Sequence, residues 1–301
     1  MKANKIIGFV VVVIILSIII FSLFRMPGIK KENLGTDNSI SLIKLEGEIG
    51  RSSLTSSFIT PEEVKTLLEE AKKSLSRGLV IRIDSPGGEV EPTEEIYALI
   101  QTFKEETGKR VYISMGSTAA SGGYYIACTG DKIFAMPSTI TGSIGVIIQL
   151  IDYQELLSKI GIKEKIIKSG TFKDMGSPTR SLTGEEEVMF KNIIEEEYQM
   201  FLNVVSKGRK IDLDKLKEIA QGQIYIGSQA KSIGLIDEIG SLEQTINSLA
   251  KDIGIMGEPV IIEHKIPKSI FSIFSSIFNS NVNLLKGLKP FEIQYILVTG
   301  D

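Results

Sequence analysis

The 301-residue chain holds one histidine, His264, and one cysteine, Cys128. A single cysteine excludes an intramolecular disulfide. No CxxC or His-rich spacing offers a metal site. Cys128 sits in an apolar run and reads as a small buried residue. Neither sign of charge dominates: 34 Lys and Arg face 37 Asp and Glu, a net of −3. That balance gives no footing for nucleic acid. No internal repeat is evident. The scarcity of imidazole also limits chemistry, because a nucleophilic serine here has little but lysine to serve as its base.

Apolar residues make up 43% of the chain, enough for a substantial core in one large domain or two small ones. One uncharged run stands apart, Ile6 to Phe24, broken only by Gly8, Ser17 and Ser22. A helix of that length rises roughly 28 Å, the thickness of a bilayer core. It exceeds the apolar region of a signal peptide, and Phe24-Arg25-Met26-Pro27 is a poor cleavage site. The expectation is an uncleaved N-terminal transmembrane helix, then a linker rich in Gly, Lys, Asn and Asp.

From Ile40 strand and helix signals alternate. Strands are expected at Ser41–Leu45, Leu79–Ile83, Val111–Ser114, Lys132–Ala135, Gly145–Ile148 and Lys163–Lys168. Thr60-Pro61-Glu62-Glu63 has the pattern of a capping box with proline at the first helical position. Helices follow at about Thr93–Glu106 and Tyr153–Ile160. Strands separated by helices imply βαβ units and a mainly parallel sheet. After residue 173 the character turns helical, with a second capping box at Thr183-Gly184-Glu185-Glu186. This section is expected to pack around the sheet. Ile270, Phe271, Ile273, Phe274, Ile277 and Phe278 suggest an amphipathic helix in the tail.

The chemistry centres on Gly116-Ser117-Thr118-Ala119-Ala120-Ser121-Gly122-Gly123. A serine hydroxyl attacks only when a neighbour removes its proton. It also needs small neighbours, so that a substrate can approach. If a helix opens at Ser121, the N–H of Gly122 can donate to an oxyanion. A second donor can come from Pro86-Gly87-Gly88, which follows a neighbouring strand at the end where parallel sheets place their sites. Lysine, with an ordinary pKa near ~10.4, serves as base only where burial disfavours its charge. Lys173 lies among Gly170, Phe172, Met175 and Pro178, beside the carboxylate of Asp174. Spacing does not choose it over Lys132, Lys165 or Lys168. His264, in the strand-like Val260-Ile261-Ile262-Glu263-His264-Lys265, reads as an ordinary strand residue.

Asp84-Ser85-Pro86-Gly87-Gly88, Ala119-Ala120-Ser121-Gly122-Gly123-Tyr124-Tyr125-Ile126, Thr141-Gly142-Ser143-Ile144-Gly145 and Lys168-Ser169-Gly170-Thr171-Phe172-Lys173 together resemble bacterial signal peptide peptidases A of the protease IV family. Gln223-Ile224-Tyr225-Ile226-Gly227 and Gly234-Leu235-Ile236-Asp237 extend the match, which runs from about Ile40 to Ile253 at the length of the short, single-copy form. The resemblance implies an α/β fold of repeated ββα units related to Clp protease and crotonase, with a helical section. It implies a membrane-anchored serine endopeptidase with a Ser–Lys dyad that degrades cleaved signal peptides and other hydrophobic peptides. Ser121 would be the nucleophile, Lys173 the base and Ser143 the hydroxyl that orients the lysine. Gly88 and Gly122 would form the oxyanion hole, with Gly87 a close second to Gly88. No cofactor or metal is implied. The partners implied are peptides, the membrane and further copies of the chain, as an octamer, with the active domain outside the cytoplasm. Asp84 stands where such proteins often carry Asn.

On this reading the chain divides into an anchor over 1–25, a linker over 26–39, a peptidase domain over 40–257 and an amphipathic tail over 258–301. Two other functions share parts of the pattern. A crotonase-like acyl-CoA enzyme would use the same glycine-based oxyanion hole, but no CoA-directed motif is present. A non-catalytic membrane scaffold would not need the serine and lysine, both of which are retained.

Overall fold

The computed structural model describes residues 35–51, 58–266 and 293–296. The expected transmembrane segment and the amphipathic stretch at 270–278 lie outside the described residues. Among the described residues no helix is long and apolar enough to cross a membrane. The chain divides into two units, Met1–Leu34 and Gly35–Asp301, and the second carries the structure that follows.

In chain order the elements are β1 (Ser39–Glu46), α1 (Pro61–Lys73), β2 (Gly78–Ser85), β3 (Gly87–Glu89), α2 (Val90–Thr107), β4 (Arg110–Ala120), α3 (Gly122–Ala127), β5 (Lys132–Ala135), β6 (Ile140–Gly142) and β7 (Ile147–Ile148). Next come α4 (Gln154–Lys159), α5 (Gly184–Arg209), α6 (Leu213–Ile219), β8 (Ile224–Ile226), α7 (Gly227–Ser232), β9 (Glu238–Ile239), α8 (Leu242–Asp252), β10 (Val260–His264) and β11 (Ile293–Ile296).

The main sheet runs β10-β1-β2-β4-β5-β9, and all of these pairings are parallel. β6 pairs parallel with the far end of β4, and β8 pairs antiparallel with β6. The period-two alternation of the strands decides which face each residue covers. Leu42, Val80, Tyr112 and Phe134 point to one face, against Leu249 and Ala250 of α8. Ile43, Ile81, Ile113 and Ile133 point to the other, in the larger core that includes residues of α1, α2, α3 and α5. β10 lies beyond residue 257, so the main sheet continues into the stretch expected to be tail.

Local signals set the helix starts. Thr60 accepts the N–H of Glu63 at 3.2 Å with Pro61 following it, and Thr183 and Glu186 close a reciprocal capping box on α5. Such caps each stabilise by about 1 kcal/mol.

The structure corrects one expected element. Residues 163–168 form no strand, and every side chain there is exposed. A strand needs a ladder partner and a buried face, and this stretch has neither among the described residues. It belongs to an arm, residues 149–182, whose one helix is α4.

A second, three-stranded sheet runs β3-β11-β7, antiparallel throughout. It lies at the end of the main sheet where β2 passes into β3.

Candidate active site

Two strands deliver the site. β4 pairs with β2 in register from Gly78↔Arg110 to Ile83↔Met115, then slips, so that Ser85 faces Ala119. The slip lets β4 leave β5 and pair with β6. Asp84 fills the bulge. Its Oδ1 accepts the N–H of Thr118 at 3.0 Å, and its carboxylate takes the space a Cβ on Gly116 would need.

Ser121 follows directly. Its φ of 51° is rare for a residue with a side chain. The conformation is held by its N–H donating to Gly142 O and by its carbonyl accepting the Tyr125 N–H, each at 2.8 Å. Strain of this kind costs ~1–3 kcal/mol and persists where surrounding bonds over-determine it. Ser121 Oγ is buried and has no hydrogen-bond partner among the described residues. Gly122 opens α3 immediately after it. At Gly123 a Cβ would stand 2.8 Å from Ser85 O, so glycine lets α3 seat on the end of β2.

β3 lies alongside. The N–H of Gly87 donates to Ser85 Oγ at 3.1 Å. Its carbonyl accepts from Ile49 at 2.8 Å, and the N–H of Glu89 donates to Ile49 O at 2.9 Å. Backbone groups alternate sides along a strand, so Gly88 directs its N–H and C=O away from Ile49, toward β11. Only glycine fits there: a Cβ on Gly88 would stand 1.9 Å from Ile49 O. Of the two glycines, Gly87 gives its donor to the side chain of its own turn, and Gly88 directs its donor to the edge where β11 pairs.

Ser143 also has a φ of 51°, and its N–H donates to Gln223 O at 2.7 Å. Thr141 Oγ1 donates to Ala119 O at 2.7 Å, tying β6 to the residue two before the nucleophile. β8 braces this turn from its other side, where the Tyr225 ring would stand 2.8 Å from a Cβ on Gly142. The sequence shows Thr141 and Tyr225 only as members of motifs, with no role for either side chain. The paired signal was a Thr-Gly-Ser turn and a Gln-Ile-Tyr run, each too short to register as a strand.

The single chain does not bring Lys173 to Ser121. Lys173 lies on the arm and is exposed. Its neighbour Asp174 is engaged elsewhere, at 2.5 Å from Lys168 and 2.8 Å from Arg180. Arg180, first, and Lys168 hold the Asp174 carboxyl well below its usual range. Arg180 also pairs with Glu186 and lowers that carboxyl to about 2. Lys168 is thereby engaged too. Lys132 pairs with Asp252 at 2.5 Å, and Lys165 is exposed on the arm.

The remaining reactive groups belong to the framework. His264 lies on β10, three strands from β4 across the main sheet, with Nε2 2.8 Å from Ser41 Oγ and Nδ1 3.5 Å from Glu70. Burial pushes the Cys128 thiol up to about 12, which leaves it inert at neutral pH.

A strained serine at the junction of a parallel strand and a helix, beside a glycine strand that takes an added strand along its outer edge, is the arrangement of a serine peptidase on a Clp protease-like α/β fold. The comparisons agree. Residues 40–147 match the Clp protease family, and residues 104–256 match peptidase family S49. The chain belongs to peptidase family S49. It is 39% identical over 213 residues to an Enterococcus faecium protein named as a signal peptide peptidase SppA, covering 71% of this chain and 61% of that one. A Synechocystis protein named as a protease is 38% identical, covering 69% of this chain and 72% of its own. A Methanocaldococcus jannaschii protein named as a protease is 32% identical over 273 residues, covering 88% of this chain and 87% of its own.

Proposed function

We propose that the chain is a membrane-anchored serine endopeptidase that uses a Ser121–Lys173 dyad to hydrolyse hydrophobic peptides, signal peptide remnants among them. The observation that carries this reading is Ser121 itself, strained, buried and with no hydrogen-bond partner for Oγ among the described residues, beside the edge of Gly88 that β11 pairs with. Lys173 removes the Ser121 proton, and the alkoxide attacks a peptide carbonyl. The N–H groups of Gly88 and Gly122 hold the oxyanion, and Ser143 orients the lysine amine. Lysine then protonates the leaving amine, and water clears the acyl-enzyme.

A neighbouring copy supplies the lysine. The arm that carries it exposes Ile160, Ile162, Ile166, Ile167 and Phe172, an apolar surface that a single chain leaves in water. Docking of the arm on a second copy buries that surface and removes water from the lysine amine, as a neutral base requires. The Enterococcus relative, named as a signal peptide peptidase, supports signal peptides as substrates. The apolar run at 6–24 supports an anchor, and a peptidase domain outside the cytoplasm is what the family resemblance implies.

The direct test is hydrolysis of a synthetic signal peptide by the detergent-solubilised full chain. Ser121→Ala and Lys173→Met should each abolish turnover. Full activity in either variant sinks the dyad. His264→Ala should leave turnover intact.

A further inference from the structure

The residue after Lys173 is a carboxylate, Asp174. An ion pair between the two would keep the lysine amine charged, and a charged amine takes no proton from a serine. The Asp174 carboxylate is held elsewhere. Arg180 grips it with two bonds, Nε to Oδ2 at 3.0 Å and Nη2 to Oδ1 at 2.8 Å. Lys168 Nζ adds a third at 2.5 Å. The Asp174 side chain is 10% exposed, whereas Lys173 stands in solvent. Two neighbours in sequence thus have opposite surroundings.

Arg180 also fixes the turn to the body of the protein. Its Nη2 reaches Asp174 O at 3.1 Å, the carbonyl that accepts the Ser177 N–H at 3.0 Å. Its remaining bonds go to Glu186 on the first turn of α5, Nη1 to Oε2 at 2.8 Å and Nη2 to Oε1 at 2.5 Å. Glu186 is buried, and its Oε2 accepts the Thr183 N–H at 2.9 Å in the capping box. Further along, α5 places Phe201, Leu202 and Val205 in the core. A planar guanidinium can fork onto two carboxylates in this way, and an ammonium cannot.

The charges close on one another. Lys168 and Arg180 of the arm face Asp174 of the arm and Glu186 of α5, two cations against two anions. Arg180 is the largest influence that keeps each carboxyl ionised. No anionic charge is left over for a third cation.

We infer that Arg180 is a positioning residue for the base, one that keeps the Asp174 carboxylate off the Lys173 amine and seats the lysine-bearing turn against α5. The inference rests on the Ser121–Lys173 reading above. Without Arg180, Lys168 alone answers Asp174, and the cluster gains a net negative charge beside Lys173.

The experiment is the pH profile of kcat/KM for a synthetic hydrophobic peptide, measured on the detergent-solubilised full chain. Activity is lost on the acid side as the base takes up a proton. In Arg180→Gln that acid limb should move up by about one pH unit, with kcat near neutral pH lowered ~10-fold and KM little changed. Adding Asp174→Asn to Arg180→Gln should return the limb to its wild-type position, which repair of a merely structural clamp would not do. Arg180→Lys keeps the charge without the fork and serves if the glutamine variant does not fold. Its limb should move the same way by a smaller step and return with Asp174→Asn. A limb that stays in place in the folded Arg180 variant, or that moves and is not restored by Asp174→Asn, overturns the inference while an inactive Lys173→Met leaves the dyad standing. If Lys173→Met is fully active, the dyad fails and the inference falls with it.

Discussion

The amide of Ser121 donates to the carbonyl of Gly142 at 2.8 Å, so the backbone of the candidate nucleophile is held by β6. Gly142 has a φ of +80°, and a Cβ there would meet the Tyr225 ring at 2.8 Å and Gln223 O at 2.9 Å. Gly142→Ala should destabilise the fold by ~1–3 kcal/mol, through backbone strain and the displaced ring. It should lower kcat more than it raises KM, because the carbonyl that fixes Ser121 moves. Denaturant titration and steady-state kinetics on one preparation check both. An unchanged kcat with lowered stability would detach β6 from the site.

Asp84 anchors the same serine from the other side. Its Oδ1 accepts the Thr118 N–H inside the slip between β2 and β4. Asp84→Asn retains an oxygen acceptor and should keep activity near wild type. Asp84→Ala leaves a partly buried N–H unpaired and should cost ~1–3 kcal/mol of stability, with a parallel loss of kcat. Equal behaviour of the two variants would show that the contact does not position the serine.

The sequence carried the sheet well where strands were long. Ser41–Leu45, Leu79–Ile83 and Lys132–Ala135 read as short, mostly apolar runs because both faces of the sheet are buried. β6, β8 and β9 have three residues or fewer, too short for any period to show. Ile166 and Ile167 misled, because this stretch has neither a ladder partner nor a buried face among the described residues. The same reason hides the position of Lys173: a motif names the residue, but its placement depends on what the arm packs against. Ser121 and Gly88 were legible because both need small neighbours for local, steric reasons. The pairing of 293–296 with β3 was not, since four residues far along the chain give no sign of which edge they will meet.

His264 ties β10 to β1 and α1. Burial is the largest influence and lowers its pKa, and Lys109 adds to this, while Glu70 opposes it. The folded chain therefore binds fewer protons here than the unfolded chain below about pH 6.5. This contribution to stability is fully present above the unfolded value and is lost as pH falls from there toward the lower folded value. Thermal unfolding of wild type and His264→Gln between about pH 8 and about pH 5 should show the wild-type midpoint falling more steeply on the acid side. Parallel curves would mean that the imidazole stays neutral in both states or is charged in both.

The proposed origin of Lys173 in a second copy gives a prediction that a single-chain dyad cannot match. Ser121→Ala and Lys173→Met should each be inactive alone, since each removes one half of every site. Mixed and allowed to exchange subunits, they should regain activity. A site is whole when its serine comes from the Lys173→Met copy and its lysine from the Ser121→Ala copy, which random assembly gives for roughly a quarter of sites. Recovery should require exchange, appearing after dilution and reconcentration and not when cross-linked pure oligomers are combined. If serine and lysine met within one chain, no mixture would contain an intact pair, and activity would stay at background. The exposed, apolar arm around Lys173 and the Ser121 hydroxyl, without a hydrogen-bond partner among the described residues, both favour the first outcome.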